Sequence, residues 1–364
     1  MFAGLAACSD RRERGGDSTA LIAPTTIAPG TVPPTTIAPG TVPPTTVAPE
    51  SAYFPPPAGE WQTVSATEAG FTDSGLAELV EMVGSVRSDS FLMLWQGRIV
   101  AEHYWNGADA TFVRDVASVQ KSVSSTLIDL ARDNGLLTLD DPASDYLAAG
   151  WTASDPAHEA AITIRQLMTM SSGLNPNNLR KDAEPGTVFD YNTDAYQKLR
   201  GVLEVAAGTD INTLSKEWLF DEIGIAQLVP WVQRGGLTDA VGDATFGLRL
   251  TVREMGRFGL FAMHRGRWAD RQITADGWFD EAWESSPLKR DYGLLWWLLG
   301  KGSLASKGAP ADLVAALGAK DQKIYVSPAA GLVLARQGEA AGVVSEAESD
   351  FDAALITAIG RARA

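Results

Sequence analysis

Hydrophobic and polar positions follow different periods in different parts of this chain. Between Phe71 and Val86 apolar residues recur at helical spacing, which predicts an amphipathic helix. Ser90-Phe91-Leu92-Met93-Leu94-Trp95, a glycine at 97 and Ile99-Val100-Ala101-Glu102 read as the two strands of a hairpin. A second hairpin is predicted near the other end, from Gln322-Lys323-Ile324-Tyr325-Val326, a Ser-Pro-Ala-Ala-Gly turn and Leu332-Val333-Leu334-Ala335. The run from Gly293 to Leu299 is the candidate for a fifth strand. Between these groups, from Ser118 to about Trp283, the pattern is mostly helical. Val123, Leu127, Leu130 and Ala131 place one helix from Ser118 to about Asn134, with Asp129, Arg132 and Asp133 mainly on its other side and Gly135 closing it. Strands drawn from both chain ends predict an α+β fold: one antiparallel sheet flanked by helices, an inserted mostly helical lobe, and a site between the two.

The first fifty or so residues carry neither period. Thr25-Thr26-Ile27-Ala28-Pro29-Gly30-Thr31-Val32-Pro33-Pro34 recurs at 35–44 and restarts at Thr45. A Pro/Thr-rich repeat with no face to bury is expected to be extended and disordered. Ahead of it, Leu5-Ala6-Ala7-Cys8 looks like a bacterial lipobox, whose Cys becomes lipid-modified; the stretch before it is short and lacks a basic residue, so the true start is expected upstream. The expected organisation is therefore a signal remnant at 1–8, a linker at 9–58 and a folded domain at 59–364. The protein is expected outside the cytoplasm, anchored through Cys8 or secreted.

Composition narrows the chemistry. The 364 residues are 45% hydrophobic with 11 Trp, enough for a large core. A net charge of −15 argues against a nucleic-acid partner or an anionic membrane surface, which need clustered Lys and Arg, so membrane contact is expected only through Cys8. Cys8 is the only cysteine, and His103, His158 and His264 stand without metal-binding spacing, so no metal or cofactor is expected. There is no G-x-S-x-G elbow and no Gly-rich phosphate loop with its Lys.

What remains is a serine with a lysine three residues on. Ser118-Val119-Gln120-Lys121 opens the helix described above, and residues three apart share a helix face. A Ser hydroxyl is a weak nucleophile until a base takes its proton, and a desolvated Lys can do so. A helix N-terminus also offers backbone N–H groups to an oxyanion. The same spacing recurs at Ser286-Pro287-Leu288-Lys289 without a helix, and Ser286 reads as a loop residue. The candidate reaction is acyl transfer at Ser118.

At this point the sequence resembles a known family, the serine hydrolases of the penicillin-recognising fold, in the branch related to class C β-lactamases, 6-aminohexanoate-dimer hydrolases and family VIII carboxylesterases. The resemblance spans roughly Phe71 to Ile359. It rests on Gly97-Arg98-Ile99-Val100-Ala101-Glu102, on Asp115-Val116-Ala117-Ser118-Val119-Gln120-Lys121-Ser122, on Gly135-Leu136-Leu137-Thr138-Leu139-Asp140-Asp141-Pro142, and on Thr163 to Leu174. It implies Ser118 as nucleophile with Lys121 as partner. It also implies a tyrosine whose oxygen acts with the lysine as general base and acid, and Phe189-Asp190-Tyr191-Asn192-Thr193 supplies Tyr191; Tyr196 is the alternative and better suits helix packing. The family's K-T-G is missing; Gln322 on the second hairpin stands there, and its backbone N–H with that of Ser118 would form the oxyanion hole.

Thr193, Trp297, Lys320 and Asp321 are the substrate-binding candidates. The resemblance implies a small-molecule ester or amide as substrate, processed through an acyl-enzyme. Two alternatives stay open: a β-lactamase or DD-peptidase, and a catalytically silent cell-envelope binding protein.

Overall fold

The computed structural model describes residues 52–345 and 348–363. Cys8 and the Pro/Thr-rich repeat lie outside the described residues.

Five antiparallel strands form the main sheet. Along the chain they are β1 (Ser88–Trp95) and β2 (Arg98–Tyr104) from one end, with β6 (Val314–Gly318), β7 (Gln322–Ser327) and β8 (Leu332–Gly338) from the other. Their spatial order is β2-β1-β8-β7-β6, so the two terminal hairpins meet along β1 and β8, with Phe91 opposite Arg336 and Met93 opposite Leu334. β7 and β8 are buried along their whole length, which explains why they read as continuous apolar runs.

Helices cover both faces. α1 (Asp73–Ser85) starts at Thr72, whose hydroxyl accepts from the Gly75 N–H, and packs against the last helix, α5 (Asp350–Ala362). α4 (Val252–Met263) begins with a capping box between Thr251 and Glu254 and lies on the opposite face, over β1, β7 and β8. Its approach is close because Gly259 lacks a side chain: a Cβ there would meet Val333 Cγ1 at 2.5 Å. Successive residues of β7 therefore serve opposite layers, Ile324 facing Gly259 of α4, and Lys323 and Tyr325 reaching Asp352 of α5.

The lobe between β2 and β6 holds α2 (Gln120–Asp133) and α3 (Thr193–Ala207). α2 is entered through a single 3₁₀ turn at Ala117–Val119, so the regular helix begins two residues after Ser118. The lobe also contains strands that the helical pattern did not foretell: β4 (Trp231–Thr238) and β5 (Ala244–Leu250) form a hairpin, and β5 pairs with the short β3 (Arg114–Asp115) just before the nucleophile turn.

Two further expectations are corrected. Gly293 to Leu299 is not a strand: Leu295 takes a left-handed φ of 62°, the chain reverses so that Tyr292 bridges Trp297, and Trp297 forms an isolated bridge to the sheet edge at Ala315. The fifth strand is β6. The folded unit also begins before residue 59, because Arg257 donates to the carbonyls of Pro55 and Pro56 and the Phe54 ring packs on His264 and Trp268.

Candidate active site

The nucleophile turn is shaped from three sides. Ala117 adopts a left-handed φ of 51°, a costly conformation for a residue with a Cβ. Its N–H is held by Asp115 Oδ1 at 2.8 Å, and Val116 N–H is held by the Leu248 carbonyl of β5 at 2.9 Å. On the third side, strand β6 lies flat against it: a Cβ added at Gly318 would sit 2.5 Å from the Val116 carbonyl oxygen and 3.2 Å from the Ser118 nitrogen. No side chain fits at 318. The backbones of Ser118 and of the β6–β7 turn, which carries Gln322, thus face one cleft.

That cleft has a volume of about 620 Å³ and is lined by Ser118, Thr193, Gln322, Asp115, Arg114, Arg234 and Lys320 together with Ala117 and Ala319. Ser118 reaches it directly. Lys121 is buried, 2% exposed, and its Nζ lies 3.0 Å from Ser118 Oγ and 3.3 Å from Thr193 Oγ1. The rings of Tyr191 and Tyr196 enclose the amine, with centroids at 4.9 and 4.5 Å. Burial pushes the Lys121 ammonium down to about 7, the Arg234 charge pushes the same way, and Asp194 opposes them. The shift brings the neutral amine within reach near neutral pH, 3.0 Å from the Ser118 hydroxyl.

The two tyrosines part company. Tyr196, 3% exposed, bonds to Ser124 Oγ at 2.7 Å and packs in the lobe. Tyr191 points its hydroxyl toward Ser118. That hydroxyl is buried and makes no hydrogen bond of normal geometry among the described residues; Ser118 is near enough to favour the phenolate slightly, but burial prevails and pushes the phenol up to about 12. It therefore keeps its proton at neutral pH. Of the two groups, Lys121 is the one whose shift suits a base near neutral pH.

Thr193, the first residue of α3, touches Lys121 and lines the cleft; Asn192 before it caps the helix by accepting from Ala195 N–H at 2.9 Å. Trp297 is 4% exposed and lies behind Tyr191, ring centroids 5.8 Å apart, so it orients that ring and does not line the cleft. Lys320 lines the cleft and pairs with Glu339 at 3.0 Å. Asp321 does not: it is 1% exposed and turned inward to Lys323, Ser349 and the Ala341 N–H. Its inward neighbours are a cation and two hydrogen-bond donors, so the carboxylate is withdrawn from the cleft. Ser286 is a loop residue, its N–H donating to the Tyr292 carbonyl at 2.7 Å.

Arg234, like Arg114, is a cleft residue that the sequence did not reveal. It sits in the bulged part of β4, and its Nε and Nη2 grip Asp115 at 2.9 and 3.0 Å. Asp115 can come so close to β5 because position 247 is glycine; a Cβ there would meet Asp115 Oδ2 at 2.3 Å. One carboxylate therefore holds both the Ala117 N–H and Arg234. Arg114 is paired with Asp89 and Glu339. Three cations and one acid thus line the cleft of a chain whose net charge is −15. Among the described residues no group of three His, Cys, Asp or Glu is arranged to hold a metal, and no helix is long and apolar enough to cross a membrane.

The family model described as beta-lactamase matches residues 76–358, more than half of the chain. The chain belongs to the beta-lactamase family. Solved structures of this fold resemble it over most of its length. A protein from Bacillus anthracis, provisionally named a 6-aminohexanoate-dimer hydrolase, is 17% identical with a TM-score of 0.66, over 86% of this chain and 90% of that one. A beta-lactamase from Mycobacterium bovis is 19% identical with a TM-score of 0.59, over 78% and 99%. A D-stereospecific amidohydrolase from Streptomyces sp. is 14% identical with a TM-score of 0.57, over 74% and 95%. At these identities the likeness is one of fold. A curated relative, an uncharacterized protein of Alkalihalophilus pseudofirmus, is 24% identical over 54% of this chain, and the match spans 64% of its length.

Proposed function

We propose that this member of the family is a serine hydrolase that acts on esters or small amides through an acyl-enzyme on Ser118. The observation that carries the reading is the buried Lys121 amine, held down to about 7 and 3.0 Å from Ser118 Oγ. In the acylation step the Ser118 proton passes to Lys121 Nζ while Oγ bonds to the substrate carbonyl carbon and the carbonyl electron pair moves to oxygen. Ser118 and Gln322 N–H groups receive that oxyanion. As the carbonyl reforms, the leaving group departs with a proton supplied by Tyr191, which regains one from the Lys121 ammonium. Water then attacks the acyl-enzyme by the same steps in reverse, giving the acid and free Ser118.

An acyl donor carrying an anionic group would meet Lys320 at the cleft, where it would compete with Glu339 for the amine, with Thr193 and the Tyr191 ring, backed by Trp297, bordering the reacting carbonyl. The exposed Lys320 also suits a second reading, hydrolysis of carboxylate-bearing β-lactams or cell-wall peptides. The test is fluorophosphonate labelling and p-nitrophenyl butyrate hydrolysis by wild type and Ser118→Ala, with nitrocefin as the second substrate. Reaction lost in the variant is the expected result. Inertness of the wild type toward all three refutes the hydrolase reading and leaves a silent binding protein. Anchoring through Cys8 belongs to the same proposal; incorporation of labelled palmitate that persists in Cys8→Ser would exclude it.

A further inference from the structure

The turn that carries Gln322 is strained, and the molecule spends a buried ionic cluster on it. Lys320 and Asp321 both take left-handed φ values, 59° and 58°, which side-chain-bearing residues avoid. Arg336 of β8 is completely buried, and its guanidinium is spent on backbone and hydroxyl acceptors: Nη1 donates to the Asp321 carbonyl at 2.8 Å and the Lys320 carbonyl at 3.4 Å, Nε to Ser88 Oγ at 2.8 Å, and Nη2 to the carbonyls of Val86 and Glu339 at 2.9 and 3.1 Å. The Asp321 carboxylate accepts from the Ala341 N–H and from Ser349 Oγ, each at 2.7 Å, and lies 3.2 Å from Lys323 Nζ. Lys323 is fully buried and pairs also with Asp352 at 3.0 Å, and Asp352 accepts from Tyr325 OH at 2.5 Å and from the Ser349 N–H at 2.6 Å.

Two cations and two carboxylates are thus desolvated together beneath the β6–β7 turn. Such clusters rarely add net stability over well-packed apolar side chains; what they can add is a single defined geometry. Here the geometry matters at one atom. Asp321 and Arg336 do not line the cleft, whereas their neighbours Lys320 and Gln322 do. The Gln322 side chain is tied back as well, its Nε2 donating to the Gly338 carbonyl at 2.6 Å. With Gly318 pressed on the nucleophile backbone, the separation of the Ser118 and Gln322 nitrogens is set by how this turn is held.

We propose that Asp321 and Arg336 are positioning residues for the oxyanion hole, fixing the left-handed turn that aims the Gln322 N–H at the reacting carbonyl. The proposal rests on the acyl-enzyme reading above, and its test has one arm that needs no turnover. In the first arm Asp321→Ala lowers kcat for p-nitrophenyl butyrate about a hundredfold, the order of losing one oxyanion donor, with KM within about threefold. Asp321→Asn keeps an accepting oxygen and tolerates the left-handed conformation, so it recovers kcat to within about tenfold of wild type. A merely structural role would lower kcat only in step with the folded fraction, and that outcome overturns the proposal. Ser349→Ala removes one bond to Asp321 and leaves every charge in place; it serves if Asp321→Ala does not fold, with a several-fold fall in kcat expected. In the second arm the crystal structures of wild type and the folded variant are compared at 320–322. A turn that leaves the left-handed region and carries the Gln322 nitrogen away from the Ser118 nitrogen supports the proposal; an unmoved turn overturns it. An inert wild type refutes the hydrolase reading alone, since the second arm still decides on the turn.

Discussion

Lys121 and Lys323 are buried alike, at 2% and 0% exposure, in unlike company. Around Lys121 stand two hydroxyls and two phenol rings, with an arginine charge pressing from β4. Around Lys323 stand two carboxylates. The first environment disfavours the ammonium beside the proposed nucleophile; the second surrounds the amine with two carboxylates within a scaffold. Depth in the core does not distinguish a reactive lysine from a structural one, whereas the neighbours do.

The contrast can be broken by giving both positions the same apolar side chain. Lys121→Met is expected to cost about three to four orders of magnitude in kcat/KM for p-nitrophenyl butyrate while leaving the chain folded. Its stability at pH 7 should exceed that of wild type. The folded amine titrates near 7 and the unfolded one near its ordinary 10.5, so protonation between these values favours the unfolded chain; wild-type stability climbs with pH across that window, and the gap to the variant closes. Denaturant titrations at pH 7 and pH 10 would measure it, and a gap of constant size would contradict it. Lys323→Met goes the other way: it removes the lysine that Asp321 and Asp352 share and should destabilise the fold by about 3–5 kcal/mol, read from the same titrations.

A smaller effect sharpens the division of labour around Lys121. Tyr191→Phe keeps the ring against Trp297 and Tyr292 but removes the proton donor, for an expected loss of about a hundredfold to a thousandfold in kcat, largest for substrates with poor leaving groups. Equal losses for activated and unactivated esters would remove that assignment. The smallest expected effect is a displacement of the pH profile. Wild-type kcat/KM should rise as pH passes about 7, and Arg234→Gln, by deleting a charge that disfavours the ammonium form, should move that rise to higher pH. A rise that stays put would mean that the arginine does not act on the lysine.

Much of this arrangement was legible because it is local. Ser118 and Lys121 meet through a helical repeat of three residues, and the two hairpins announced themselves by apolar runs ended at glycine turns. What escaped depends on contacts distant in sequence. Arg234 lies in a strand interrupted by Gly235-Gly236, where a bulge erases the alternation that marks strands. Asp321 sits beside a cleft residue in the chain, yet which side of a left-handed turn it occupies is decided by Lys323, Ser349 and the Ala341 N–H. The run from Gly293 to Leu299 has the apolar content of a buried strand, and only Leu295's backbone conformation turns it back on itself. The tie between α2 and that reversal, Ser122 and Ser125 donating to the carbonyls of Leu295 and Leu294, has no signature in the pattern at all.

The pairing of β1 with β8 also sets an order in time. Ser88 finds its place opposite Gly338, so the middle of the sheet waits for a partner made some 250 residues later. A ribosome that has delivered Ser118, Lys121 and Tyr191 has still not delivered the proposed site, because β7, β8 and the first turn of α5 are yet to emerge. The cleft is completed only once the second hairpin of the sheet has been made.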